Sequence, residues 1–304
     1  MTAPLLECVP NVSEGRDRAL LAALAAAVES AGARLLDMHA DVDHHRSVFT
    51  FVGAPAAVSA AALALARLAV ARLDLRAHRG VHPRIGVVDV VPFVPLREAR
   101  MADAVDAAHA VGAAIARELA VPVFYFGDAA RVPARRELPA VRHGQFEGLA
   151  DRMREAGGAP DAGPVEPHPT AGATAVGARG ILIAFNAVLD TDALDIARGI
   201  ARAVRATAGG LPAVRALGVP LASRGRAQVT LNLLDFRRTP VAGVMAAVEA
   251  EARRQGAAVL EWELVGCAPE PAFRGVGRER LRIGPGQLLP EDLLGPDSVP
   301  AQGV

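Results

Sequence analysis

The stretch "ARLLDMHADVDHHRSVFTFVG", residues 33–53, decides the fold. Its ends, "ARLLDMH" and "RSVFTFVG", read as strands separated only by the polar segment "ADVDHH". A helix precedes the pair at about residues 17–31, with Leu20, Leu24, Val28 and Ala31 on one face. Another follows from Pro55, a favoured first helical residue, and aligns Val58, Ala62, Leu65 and Ala69. The strand "PLLECVPNV" before this block and the strand "IGVVDVVPFV" after it complete the order βαββαβ.

The order recurs from residue 180. "GILIAFNAVL" reads as a strand, and "TDALDIARGIARAVR" as a helix with Ile196, Ile200 and Ala203 aligned. "AVRALGV" and "AQVTLNLLDF" are strands, Thr239-Pro240 offers an N-cap and first helical residue, and "AAVLEWELVG" closes the unit. An extra helix at about 101–119 and a strand at about 121–126 extend the first half. The spacing therefore predicts an α+β protein of two ferredoxin-like (βαββαβ) subdomains, spanning residues 1–178 and 179–304. Each is expected to have an antiparallel sheet with helices on one face, with a cleft between the two. Residues 155–180 are rich in Gly, Pro and Ala without periodicity, and read as either a linker or a binding loop.

Composition excludes several chemistries. The 304 residues are 52% hydrophobic with 33 basic and 33 acidic side chains, so no charge excess points to nucleic acid or to a basic partner. Every basic residue is arginine, which removes Schiff-base lysine chemistry and the P-loop lysine. The arginine-only usage reads as the mark of a GC-rich genome rather than of function. Cys8 and Cys267 lie far apart and form neither a disulfide framework nor a zinc motif. The segment 56–73 is apolar but interrupted by Arg67 and Arg72, so it reads as a packed helix, and the start lacks a signal peptide. The expected setting is cytoplasmic, with neither membrane nor nucleic acid as partner.

The chemistry gathers in "RAHRGVHPRIG", residues 76–86, and in the histidine-rich turn 39–45. His78 and His82 have the spacing of two metal ligands on one helical turn, but Gly80 and Pro83 oppose a regular helix there. His82, fixed against Pro83, suits general acid–base work, since an imidazole with a pKa near ~6.5 exchanges protons at neutral pH. Arg79 and Arg84 offer planar guanidinium groups for a carboxylate-bearing substrate, or for structural ion pairs.

Taken together, "ECVPNVSEGR" (7–16), "DHHRSVFTFVG" (43–53), "DLRAHRGVHPRIGVVDVVPFVP" (74–95), "GQFEGL" (144–149), "HPTAGATAVGARGILIAFNAVLDT" (168–191) and "VTLNLLDF" (229–236) resemble the formiminotransferase domain of glutamate formimidoyltransferases, in one register from about residue 5 to 270. The resemblance implies transfer of a formimidoyl group from N-formimidoyl-L-glutamate to N5 of tetrahydrofolate, a co-substrate, with no metal. It implies folate lying between two ferredoxin-like subdomains, and a homodimer. It places the catalytic histidine at His82. Folate contacts are implied at Gly163, Pro164, Val165, Glu166, Pro167, His168, Pro169, Thr170, Ala171 and Gly172, and at Gly209, Gly210 and Leu211. His39, Arg79 and Arg84 join the site as further candidates. The family often has aspartate where His39 stands and asparagine where His45 stands, so a formyl donor, N-formylglutamate, is an alternative. A metal-dependent amidohydrolase and a non-catalytic folate-binding module are the others.

Overall fold

The computed structural model of the chain describes residues 3–277, 280–295 and 298. They form two compact units: residues up to Arg179 with Gly295, and Gly180–Leu294 with Ser298.

The first unit opens with β1 (Leu5–Cys8) and β2 (Asn11–Val12), two pieces of what the sequence predicts as one strand. Pro10, without an N–H, breaks the ladder, and the Asn11 side chain donates to the Val9 carbonyl across the break at 3.2 Å. Next come α1 (Arg18–Ser30), β3 (Arg34–Asp41), β4 (Arg46–Gly53), α2 (Pro55–Arg72) and β5 (Val88–Leu96). These are followed by α3 (Met101–Leu119), β6 (Val123–Gly127), the short helices α4 (Leu138–Val141) and α5 (Leu149–Arg154), and β7 (Thr174–Ala178). Asp17 caps α1, its carboxylate accepting from the N–H groups of Ala19 and Leu20.

The strands lie in the order β3–β4–β1/β2–β5–β7–β6. The first four positions pair antiparallel, but β5–β7 and β6–β7 pair parallel. The expectation of an antiparallel sheet is thus corrected to a mixed one. The long α3 connection carries the chain back over the sheet so that β6 runs parallel to β5, and β7 enters between them parallel to both. The sequence reading missed β7 inside the stretch 155–180. All five of its residues are buried, so "TAVGA" has no alternation of polar and apolar positions to reveal it.

Helices α1, α2 and α3 cover one face of this sheet, packing Leu24, Val58, Leu65 and Val111 against Phe49, Phe51, Phe93 and Tyr125. By length and composition α2 is apolar enough to cross a membrane. Its Val58, Ala61, Ala62, Leu65, Ala66 and Ala69 are instead spent on this core. On the opposite face α4 and α5 contribute Val141, Leu149 and Met153, which pack with Val90, Phe124 and Phe126.

The second unit contains β8 (Ile183–Leu189), α6 (Leu194–Val204), β9 (Val214–Leu221), β10 (Arg226–Leu233), α7 (Val241–Arg254) and β11 (Val259–Val265). It continues through β12 (Ala268–Pro269), β13 (Leu281–Arg282) and β14 (Leu288–Leu289). Its main sheet runs β13–β11–β8–β10–β9, antiparallel except for the parallel β11–β13 edge. This sheet too is mixed. Thr239 does not cap α7: its hydroxyl donates to the Pro212 carbonyl at 2.5 Å, and Pro240 takes the cap position without a side-chain bond.

One core contact in the first unit has a sign that helix propensity alone gets wrong. A Cβ at Gly112, on α3, would lie 2.5 Å from Cε1 of the buried Tyr125 ring. Gly to Ala inside a helix ordinarily gains about 1 kcal/mol. Overpacking a filled core costs about 1–3 kcal/mol, and here the neighbour is a ring rather than a flexible chain end. Gly112→Ala is therefore expected to lower stability, read as a fall in the urea midpoint at unchanged slope; a rise would show that the Tyr125 ring yields.

Candidate active site

The candidate site grows from three irregular segments at strand ends of the first unit: residues 13–17, the 41–46 turn between β3 and β4, and the 76–86 approach to β5. The turn is set by Asp41, whose Oδ1 accepts from the backbone N–H groups of Asp43 and His44, each at 2.8 Å. His45 then takes a left-handed conformation with φ +49°. Histidine is among the few non-glycine residues enriched there. Arg16 laces the segments together, donating to the carbonyls of Val42 at 3.0 Å and Arg79 at 3.1 Å.

Residues 76–86 are neither helix nor strand, and glycine decides how they lie. A Cβ at Gly80 would meet the His44 carbonyl oxygen at 2.3 Å, so this loop presses backbone to backbone on the histidine turn. A Cβ at Gly86 would meet the Ala173 oxygen at 2.0 Å. There the chain crosses the end of the 163–172 loop, with Val87 N–H donating to Ala171 O at 3.0 Å and Leu75 N–H to Thr170 O at 2.8 Å. His168 closes that loop: its Nδ1 accepts from Ala171 N–H at 2.9 Å, and its backbone exchanges two bonds with Gly172.

His82 is half-buried, between exposed Val81 and Pro83. Its ring stacks near that of His44, centroids 6.1 Å apart. Burial, then the guanidinium groups of Arg46 and Arg142, then His44, hold its pKa well below the ordinary histidine value, against a backbone hydrogen bond at Pro83. At neutral pH it is a neutral imidazole, able to accept a proton. The two arginines are fixed from the sheet: Arg46 Nη1 donates to Asn11 Oδ1 at 2.6 Å, and Arg142 pairs with the buried Asp89 carboxylate.

His78 and Arg84 lie deeper. Arg84 Nε donates to His78 Nδ1 at 3.1 Å, and its two terminal nitrogens grip Glu147 at 2.9 and 2.7 Å. His78 Nε2 meets the His45 carbonyl at 2.8 Å, and the His78 and His45 rings stack at 4.4 Å and 9°. His45 Nε2 lies 3.3 Å from Glu14. Burial alone would raise the Glu14 carboxyl, but the N–H groups of Asp17 and Arg16 and the His45 ring outweigh it and hold its pKa below the usual value.

The structure therefore brings His82, Arg79, Arg84 and the 168–172 end of the loop to adjoining segments. Residues 163–166 are exposed, His39 stands half-buried on β3 opposite Val48, and the Gly209–Leu211 turn belongs to the second unit. Glu14, Arg46, Asp89, Arg142 and Glu147 were not singled out from the sequence. Glu14, Arg46, Asp89 and Glu147 lie inside the motifs quoted above, whereas Arg142, 53 residues from the Asp89 it pairs with, gives no local signal. Among the described residues, no group of three or more His, Cys, Asp or Glu side chains is arranged to hold a metal ion.

A neutral half-buried histidine beside fixed guanidinium groups fits an enzyme that moves protons on an anionic substrate. Comparison with known proteins gives the particular group. Residues 5–179 match the N-terminal subdomain of the formiminotransferase domain, and residues 184–279 match the formiminotransferase domain. The glutamate formimidoyltransferase of Streptococcus pyogenes serotype M1 is 41% identical over 96% of this chain and all of its own length. That of Thermoplasma acidophilum is 39% identical, covering 92% of this chain and 93% of its own. The formimidoyltransferase-cyclodeaminase of Rattus norvegicus is 40% identical over 88% of this chain, which spans 51% of that longer protein. The chain belongs to the formiminotransferase family.

If the charges beside His82 depress its pKa as the geometry requires, Arg46→Gln should raise it towards the ordinary histidine value. Titration of the His82 ring signals by NMR reads this directly; an unmoved midpoint would remove Arg46 from the causes of the shift.

Proposed function

We infer that this chain transfers a formimidoyl group from N-formimidoyl-L-glutamate to N5 of tetrahydrofolate, yielding 5-formimidoyltetrahydrofolate and glutamate, with His82 moving the proton. The activity is carried by the end-to-end match to glutamate formimidoyltransferases, at 41% identity across the whole of the Streptococcus pyogenes enzyme. It is a step of histidine degradation that feeds one-carbon metabolism. The role of His82 is supported by its partial exposure and by the burial and the Arg46 and Arg142 charges that keep it neutral.

In this reading N5 of the folate attacks the amidine carbon, and His82 accepts the N5 proton as the new C–N bond forms. The same imidazolium returns the proton to the glutamate nitrogen as the old C–N bond breaks, so atoms and charge balance without a covalent enzyme intermediate. The Arg46 and Arg142 guanidinium groups oppose protonation of His82, which keeps the base free. They also favour the substrate's carboxylates. Holding two substrates in attack geometry contributes on the order of 7–11 kcal/mol, so positioning is the larger share of the work.

The remaining assignments follow the family. Gly163–Gly172 and Gly209–Leu211 take the folate, the first through a loop that is exposed at residues 163–166 and pinned at 168–172. Arg79 is the arginine for a glutamate carboxylate, because Arg84 already spends both terminal nitrogens on Glu147. His39 is a peripheral contributor. Residues 1–178 and 179–304 act as two formiminotransferase subdomains, each ferredoxin-like in the order of its four shared strands. The enzyme works as a cytoplasmic homodimer.

Tetrahydrofolate and N-formimidoyl-L-glutamate, mixed with the protein, should give a product that cyclises to the methenyl form on acidification. His82→Ala is expected to lower kcat about 100-fold or more, the range for loss of a general acid–base group. Full turnover by that variant would remove His82 from the chemistry, and no product with the parent protein would remove the activity.

A further inference from the structure

The loop that presents His82 is closed by two of its own side chains. His78 and Arg84 stand on either side of the loop's crown, and Arg84 Nε donates to His78 Nδ1 at 3.1 Å. The crown is seated from outside, with Val81 N–H donating to the Asp43 carbonyl at 3.2 Å and Gly80 against His44. The closure is braced at both ends. Glu147 holds the Arg84 fork by two bonds, and Phe146 N–H donates to the Arg84 carbonyl at 2.9 Å. On the other side the His45 carbonyl accepts from His78 Nε2, under a parallel stack with the His45 ring.

We propose that His78 and Arg84 are positioning residues that form a clasp, locked by Glu147, which sets the attitude of His82 for proton transfer. The proposal rests on the reading of His82 as the base. Neither residue needs to touch substrate. His78 is buried, and Arg84 has only 9% of its side chain exposed.

Hydrogen-bond chemistry makes the clasp directional. Arg84 Nε carries a hydrogen and can only donate, so His78 Nδ1 must be the acceptor and the His78 proton must sit on Nε2, facing the His45 carbonyl. A second proton on His78 would set N–H against N–H and cation against cation, and the clasp would open. The groups facing His78 divide: burial, His45 and Arg84 disfavour that proton, while the His45 carbonyl and Glu14 favour it. Arg79, whose Nη1 donates to the His78 carbonyl at 2.8 Å, and Glu147 on Arg84 complete its charged surroundings. The net effect keeps His78 neutral below the ordinary histidine range. Acid that protonates His78 therefore opens the clasp.

Steady-state kinetics on four variants test this. His78→Leu should lower kcat about 100-fold, the cost of a roughly 1 Å misplacement of a reacting group, with the KM for formimidoylglutamate nearly unchanged. His78→Asn keeps an acceptor near the Nδ1 position and should recover most of kcat. Because the amide does not titrate, its kcat should also hold to lower pH than the parent's. Glu147→Ala, an exposed change that leaves the core intact, should lower kcat in the same sense by a smaller factor. His82→Ala serves as the reference. If His82→Ala turns over normally, the base reading falls and the clasp falls with it. If His82→Ala is inactive while His78→Leu and Glu147→Ala keep the parent kcat, or lose only KM, the clasp alone is wrong. Failure of His78→Asn to outperform His78→Leu would also overturn it, and should His78→Leu not fold, Glu147→Ala decides.

Discussion

Two backbones crossing where neither has room for a side chain hold the first unit's chemistry together. At Gly86 and Gly172 the approach to β5 passes the end of the 163–172 loop, and a Cβ at either glycine would strike the other chain's carbonyl at 2.0 or 2.2 Å. Gly172 also stands at φ +71°, a conformation that side chains rarely adopt. Interlocked in this way, the two segments bond to each other through Val87 and Ala173 N–H groups as an extension of the sheet. The loop carrying His82 then has a rigid base, although its own residues have no regular structure.

From that base the polar groups are placed by the sheet rather than by the loop. Asn11 and Asp89 are strand residues, and they hold the Arg46 and Arg142 guanidinium groups from which His82 takes its electrostatic character. An imidazole in the field of two cations and partly out of water keeps its neutral form, and an active base at neutral pH needs that form. The price is affinity for the proton: a base with a depressed pKa is a weaker acceptor. The arrangement therefore suits a reaction in which the same proton must leave again quickly.

The sequence made the doubled βαββαβ order legible because each helix has one apolar stripe and each early strand a run of Leu, Val, Ile or Phe. The stripe Leu20, Leu24, Val28 lies in the core as its spacing implies. The mixed character of the sheets was not legible, because it depends on β7 and β13. β7 is a buried five-residue strand without alternation, and β13 spans two residues. At the candidate site, the density of histidine and arginine around Pro83 in "RAHRGVHPRIG" was legible. What it could not announce was the division of labour inside it. Arg79 and Arg84 look alike in sequence, yet one is exposed and the other is buried against His78 and Glu147. Only the position of residue 147, 63 residues downstream, separates them.

That distinction bears on the arginine-only composition. Many arginines here make exposed pairs such as Arg154–Asp151, where both side chains are at least 70% exposed and such a contact is worth about 0–1 kcal/mol. A lysine would serve equally well there, and base composition is explanation enough. Position 84 is different in kind. One planar group must donate from Nε towards His78 and at the same time present a parallel fork to a carboxylate on the opposite side. An ammonium is a single point with rotating donors and cannot meet two partners in fixed, diverging directions. Within an arginine-only composition, position 84 is thus a place where geometry admits nothing else.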